Sequence, residues 1–348
     1  MPPSKEPALA NSEYRVGWIC ALSLEMTAAI AMLDVVHEQP QEHHSSDHNS
    51  YCLGRIQKHN IVIACLAEYG TTSAADVAKE LLLTFTEIRF GLMVGVGGGV
   101  PSAEHDIRLG DIVVSRPEGT SSGVVQYDLG KAQVGQFERT GSLDRPPQIL
   151  LKAVCALESK HEMVDTEIPT FLASTGTQYP KMRTSYASPG AENDRLFRED
   201  YHHPGASKNC DSCDVSQLVD REPRESDLPR IHYGLIASGN QVIKNGLIRS
   251  KLGKELGMLC FEMEAAGLMN KFKCLVIRGI CDYSDSHKNK KWQRYAAVSA
   301  AAYAKELLLV TPAHRVHLET PILQVAGSSL SVRSPQMEAP VLFLSTVK

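Results

Sequence analysis

The stretch CFEMEAAGLMNKFKCLVIRGICDYSD, residues 260–285, decides how the rest of the chain is read. Glu262 and Glu264 flank Met263 at the start of an expected helix over Glu262–Lys271, near the positive end of its dipole. A buried strand, CLVIRGIC, follows. Asp282 and Asp285 come directly after its apolar run, at the carboxyl end where open α/β sheets place their ligands. A carboxylate can accept two sugar hydroxyls at once, and a strand-end acid can protonate a leaving base. The plain alternatives are helix-terminal charge for the glutamates and helix capping for the aspartates. Beyond the acid lies a basic cluster, His287, Lys288, Lys290, Lys291 and Arg294, which is either a solvated face or a phosphate site.

Upstream, the pattern alternates strand and helix. YRVGWICAL (Tyr14–Leu22) reads as a buried strand, leading to a helix over about Leu24–Leu33 that carries Glu25 in its first turn. Two strands are expected at Ser50–Gln57 and Asn60–Leu66, with KHN as the turn between them, then a helix over Thr72–Phe85 capped by Thr72 or Ser73. FGLMVGV is a strand that runs into the glycine run Gly95–Gly99, expected as a loop whose N–H groups approach an anion or a ribose. Pro101 follows too soon for this run to open a dinucleotide-binding helix. DIVVS, a helix from Pro146 to Ser159, strand IHYGLIAS, a helix over Asn245–Leu256 and a helix over Trp292–Leu309 complete the series. The expected fold class is α/β, a mostly parallel mixed sheet with helices on both faces.

Residues 1–13 are polar and expected to be poorly ordered, 14–312 form one catalytic domain, and 313–348 form a tail ending in the strand-like APVLFLSTV. Residues 161–230, rich in Pro, Gly, Asp and Arg, read as a long insertion with little regular structure. Within it, Cys210 and Cys213 (CDSCD) follow His202 and His203. One CxxC with neighbouring histidines could form a zinc site, but without a second pair, in a polar loop, unligated cysteines are the expectation and no metal is expected.

At 348 residues with a net charge of −4, the chain can bury a large core and offers no general nucleic-acid surface. Nine cysteines, an odd number set partly in apolar strands, suit reduced thiols and a cytoplasmic protein. No leader or membrane span is visible.

The order of CALSLE, VGVGGGV, LGDIVVS, IASGNQVI, FEMEAAG and RGICDYSD resembles the nucleoside phosphorylase and methylthioadenosine/adenosylhomocysteine nucleosidase superfamily. The match spans about Tyr14–Leu309 with a poorly matched stretch from Lys131 to Arg230. Its most specific part is E-M-E followed eighteen residues later by the strand-end aspartate. More narrowly the chain looks like the nucleosidase-type domains fused to NTPase and ankyrin modules in fungal proteins, and the resemblance would have the domain stand alone here. The resemblance implies that Asp282 protonates purine N7 and that Glu264 binds the ribose 2′- and 3′-hydroxyls with Met263 against the sugar. It places Val242 and Ile243 along the base, Gly97 and Gly98 near the nucleophile, and Glu262 beside the sugar clamp. No cofactor is implied, and the implied assembly is a homo-oligomer acting on a small molecule, with no membrane partner.

Hexameric phosphorylases of this superfamily hold phosphate with arginines where this chain has Leu24-Glu25 and Met93. A carboxylate would repel a phosphate dianion. Nucleosidases instead place a water-positioning glutamate where Glu25 stands, so the resemblance favours hydrolysis. His105 and Arg108, with Lys288 and Arg294, are expected to take a 5′-phosphate, which makes adenine nucleotides, ATP among them, candidate substrates. The competing readings are a phosphate-dependent phosphorylase and a nucleoside sensor without turnover. The glycine spacing argues against a dinucleotide-dependent oxidoreductase.

Overall fold

The computed structural model describes residues 5–205 and 209–324. The strand-like APVLFLSTV lies outside them. The strands are β1 (Val16–Cys20), β2 (Val35–His37), β3 (Tyr51–Ile56), β4 (His59–Cys65), β5 (Phe90–Gly99) and β6 (Ile112–Ser115). They continue with β7 (Val124–Gln126), β8 (Ile231–Ser238), β9 (Met258–Glu262) and β10 (Cys274–Asp282). The sheet runs β2-β3-β4-β1-β5-β9-β8-β6-β10, and β10 pairs back onto β5. Five strands therefore close on themselves, while β1 to β4 extend as an open wing. β1 lies parallel to β4 and β5, β10 lies parallel to β5, and β9 meets the end of β5 in antiparallel register.

Helices α1 (Ser23–Ala31), α2 (Thr71–Thr84), α3 (Gln148–His161), α4 (Ile168–Gln178), α5 (Pro180–Ser185), α6 (Gly246–Leu256), α7 (Ala265–Leu268) and α8 (Gln293–Val310) surround it. Strand alternation divides the core. Val16, Trp18 and Cys20 of β1 pack with α1, α3 and α8 on one face, and Ile19 packs with α2 and α7 on the other. The α/β layering expected from the sequence is what forms. Among the described residues no helix is long and apolar enough to cross a membrane.

Several expectations change in detail. Lys5–Glu6 pairs parallel with β2, so the N-terminal segment is structured from Lys5 and not loose up to Glu13. The turn before β4 centres on Gln57, with φ of 48°, and His59 and Asn60 already belong to the strand. Thr72 and Ser73 lie inside α2. Gly70 is the N-cap, and the Asn240 side chain accepts the Thr71 N–H at 3.1 Å. The insertion is not wholly irregular: α4 and α5 open it, and α4 packs on α8. Its later part is pinned by Asp111, which accepts from Arg224 Nη1 (2.7 Å), the Arg230 N–H (2.9 Å) and His232 Nε2 (2.9 Å). Burial opposes ionisation of Asp111, but these donors outweigh it and hold its carboxyl below the usual range.

Candidate active site

Four chain segments end together at the carboxyl side of the sheet. The glycine run is not a loop: Gly95–Gly99 is the last half of β5, and its missing side chains make room for its neighbours. A Cβ on Gly95 would lie 2.5 Å from Glu25 Oε1 and 2.6 Å from Arg278 Nη1. One on Gly98 would lie 2.1 Å from Ser284 Oγ and 2.8 Å from Asp282 Oδ1, and one on Gly97 would lie 3.1 Å from the Phe261 carbonyl. The β10–β5 register sets Asp282 beside Gly98 and Arg278 beside Gly95. The glycines are thus strand residues that admit a buried cluster of charge.

Arg278 is the centre of that cluster and is fully buried. Its Nη2 donates to Glu262 Oε2 and, at 3.2 Å, to Glu264 Oε2. Burial alone would weaken its charge, but Glu262, Glu264 and Glu25 together raise its proton affinity above the ordinary value. Glu25 accepts the N–H groups of Ala21 (2.7 Å), Leu22 (3.0 Å) and Val96 (2.8 Å), which ties the start of α1 to β5. Burial raises the proton affinity of Glu25, and Arg278 only partly offsets that. Glu264 is pushed up to about 7, first by burial, against the pull of Arg278 and with the repulsion of Glu262 and Glu25 added. Glu262 ends β9 and is not the first helical residue. It accepts the N–H groups of Glu264 (3.1 Å) and Ala265 (3.0 Å), which fixes the turn into the short α7.

Asp282 closes β10. Its Oδ1 accepts the Ser284 N–H at 2.9 Å and its Oδ2 accepts the Lys288 ammonium at 2.7 Å. Burial disfavours the charge on Lys288, but Asp282 outweighs it, and the lysine binds its proton more tightly than usual. Ser284 sits at φ of 52°, a left-handed conformation uncommon outside glycine, and this turns the chain sharply beneath the acid.

The sequence profile of the phosphorylase superfamily matches residues 15–309. The chain belongs to the phosphorylase superfamily. Among its relatives, a nucleotide-binding leucine-rich repeat-like protein of Hyaloscypha variabilis is 47% identical over 326 residues, which cover 92% of this chain. The chain spans about a third (32%) of that relative's length. A 5′-methylthioadenosine/S-adenosylhomocysteine nucleosidase of Mycobacterium bovis is 24% identical over 307 residues, covering 85% of this chain and 96% of the relative. The Helicobacter pylori enzyme of the same description shares the fold at a TM-score of 0.55 and 15% identity, over 85% of this chain and 98% of that one.

Of the residues singled out in this superfamily member from sequence, Glu25, Glu262, Glu264, Asp282, Gly97 and Gly98 come together. Met263 sits half-buried between the two glutamates. Ile243 packs into an apolar cluster with Tyr127, Val100 and Phe261, whereas Val242 points outward. The basic residues do not assemble as expected. Arg108 binds the Asp106 carboxylate at 2.9 Å and also reaches the Glu222 carbonyl, anchoring the insertion, and His105 is exposed on the loop after β5. Arg294 lies over the Tyr186 ring at 5.9 Å, His287 is buried, and Lys288 is spent on Asp282. A shared phosphate cradle of His105, Arg108, Lys288 and Arg294 is therefore not formed, because each of the three long cations already has another partner. Arg278 was missed. Its signal is a lone cation in the otherwise apolar CLVIRGIC, which only a buried counter-charge makes tolerable.

Proposed function

We propose that this chain is a purine nucleosidase, an N-glycosyl hydrolase that releases the free base from adenine nucleosides or nucleotides, ATP included. The observation that carries this reading is the convergence of Glu25, Glu264 and Asp282 at the ends of adjacent elements around Arg278. Asp282 is the general acid for the leaving base. The Lys288 ammonium on its Oδ2 holds the carboxyl in place and stabilises the carboxylate left when the proton passes to the base. Glu264, ionised, accepts the ribose hydroxyls. Glu25 orients the attacking water. Arg278 already pairs with Glu262 and Glu264 and lies in the field of Glu25, and a buried site of that charge disfavours a phosphate dianion as nucleophile. Ile243 and Phe261 offer an apolar wall for the base.

The charge for a 5′-phosphate comes, in this reading, from Arg195, Lys290 and Lys291, which line a cavity of about 200 Å³ beside Asp282. A cytoplasmic homo-oligomer is the proposed setting. Chromatography of free base released from adenosine, methylthioadenosine, inosine, AMP and ATP tests the assignment, with a Lys290→Glu/Lys291→Glu chain run beside the wild type. Adenine from both adenosine and ATP is expected, with ATP cleavage alone reduced tenfold or more in the double variant. Unchanged ATP cleavage would remove the nucleotide part of the proposal. Release of no base from any substrate would leave a sensor.

A further inference from the structure

His203, Cys210 and Cys213, far apart from the sugar-facing carboxylates in sequence, bring one ligand atom each to within 4.8 Å of one another. The two thiols sit on a tight turn in which the Cys213 N–H donates to the Cys210 carbonyl at 3.2 Å. His203 Nε2 lies 2.7 Å from the Asn209 carbonyl, and donation there leaves Nδ1 with its lone pair. A backbone acceptor on the far nitrogen is how metal-binding imidazoles are held in one tautomer. The His203 N–H itself is fixed to Ser286 Oγ at 3.0 Å, so this part of the insertion is fastened to the loop that follows Asp282.

A second, independent feature lies on that loop. His287 is buried, and among the described residues neither of its ring nitrogens has a hydrogen-bond partner. The Asp285 carboxylate is 3.7 Å from Nδ1, beyond hydrogen-bonding reach. The ring is stacked on Phe197 at 4.1 Å and stands edge-on to His203 with centroids 5.4 Å apart. Cys210 Sγ is 3.7 Å from the His287 carbonyl. A buried imidazole with both nitrogens unsatisfied is rare unless a ligand supplies the partner.

We propose that Cys210, Cys213 and His203 bind a zinc ion, with His287 as the fourth ligand. Two thiolates and two imidazoles suit a soft, tetrahedral, d¹⁰ cation over calcium or magnesium. Zinc–sulfur bonds of about 2.3 Å place two thiolates ~3.8 Å apart, so a small contraction brings the ligand atoms of His203, Cys210 and Cys213 to bonding distance, and the adjacent His287 ring supplies the fourth bond in this proposal. With four protein ligands the site is structural and closed to substrate. It joins the insertion to the segment Asp282–Lys288, the same segment that carries the acid and its lysine. The sequence favoured unligated cysteines over a zinc site on the CxxC and its upstream histidines, because His287, 74 positions downstream of Cys213, gave no signal there.

The test is elemental analysis of the full chain, purified with zinc and dialysed free of loose metal, beside Cys210→Ser/Cys213→Ser and His287→Asn chains. About one zinc per wild-type chain is expected, lost in the double variant and held at least tenfold more weakly after His287→Asn. Cobalt in its place should show thiolate charge-transfer absorption and intense tetrahedral bands. Should the double variant fail to fold, alkylation of the native wild-type chain decides. Cys210 and Cys213 should be protected by zinc and exposed by a chelator. Equal labelling with and without zinc, or no zinc above background in the wild type, would overturn the proposal, as would a disulfide between the two cysteines. Undiminished affinity after His287→Asn would overturn the fourth ligand.

Discussion

Glu264 stands beside one cation and two other carboxylates, and that surplus of negative charge sets its behaviour. With its carboxyl at about 7, the ionised form proposed to clamp the ribose is gained as pH rises through neutrality. We expect kcat/KM to climb across that range and the limb to vanish from the residual activity of Glu264→Gln. A profile flat from pH 6 to 8 would refute the clamp in its ionised form. The same group links pH to stability with a definite sign. Between the unfolded value of about 4.3 and about 7, the folded chain keeps a proton the unfolded chain has lost, so Glu264 makes stability decline as pH rises. Lys288 offers a separate test. Lys288→Met should reduce kcat roughly tenfold or more with KM little changed, and Lys288→Arg should recover part of it. A fall in kcat as large after Lys288→Arg as after Lys288→Met would make Lys288 a packing residue. At this scale the sequence was readable where a motif fixed a position, as for Asp282 at the end of β10 and Glu264 beside Glu262. Arg278 escaped because its role depends on three carboxylates from two other segments.

The elements show why those segments meet. β5 ends in glycines because Glu25, Arg278, Asp282 and Ser284 occupy the volume their side chains would fill. The run was legible as unusual, but strand and loop could not be told apart from it, since glycine serves both. Likewise, Glu262 reads as an early helix residue, yet it closes β9, since its carboxylate caps the next turn from outside. The insertion hangs on Asp111, a connection invisible in sequence because Arg224 and His232 lie more than a hundred positions away. Asp111→Asn leaves the nearly buried Arg224 with Asp106 as its remaining carboxylate and removes its closest charged partner. We expect a loss of about 1.5–3 kcal/mol in denaturant unfolding. Because the folded carboxyl is depressed, the contribution is complete above the unfolded value and is lost as pH falls through the folded one. A loss under 1 kcal/mol would show that the insertion is held by its apolar contacts instead.

On the scale of the whole molecule, alternation of strand and helix was enough to give an α/β sheet covered on both faces. The closure of β5, β9, β8, β6 and β10 into a ring was not legible. It follows from one antiparallel contact, Cys260 with Gly99 and Phe261 with Gly98, between strands far apart in the chain. That closure presses the E-M-E turn against the acid-bearing strand and so creates the site. Family membership rests on the same span, residues 15–309, while the insertion interrupts it. What distinguishes this chain within the superfamily is the identity of the nucleophile, and the charge around Arg278 argues for water. The most direct measurement is the sugar product formed from adenosine in phosphate-free buffer and again with phosphate added, with Asp282→Asn as the control. Free ribose and adenine should form at the same rate in both buffers, with cleavage reduced on the order of 10²- to 10⁴-fold in the variant. Ribose 1-phosphate formed only when phosphate is present would contradict it.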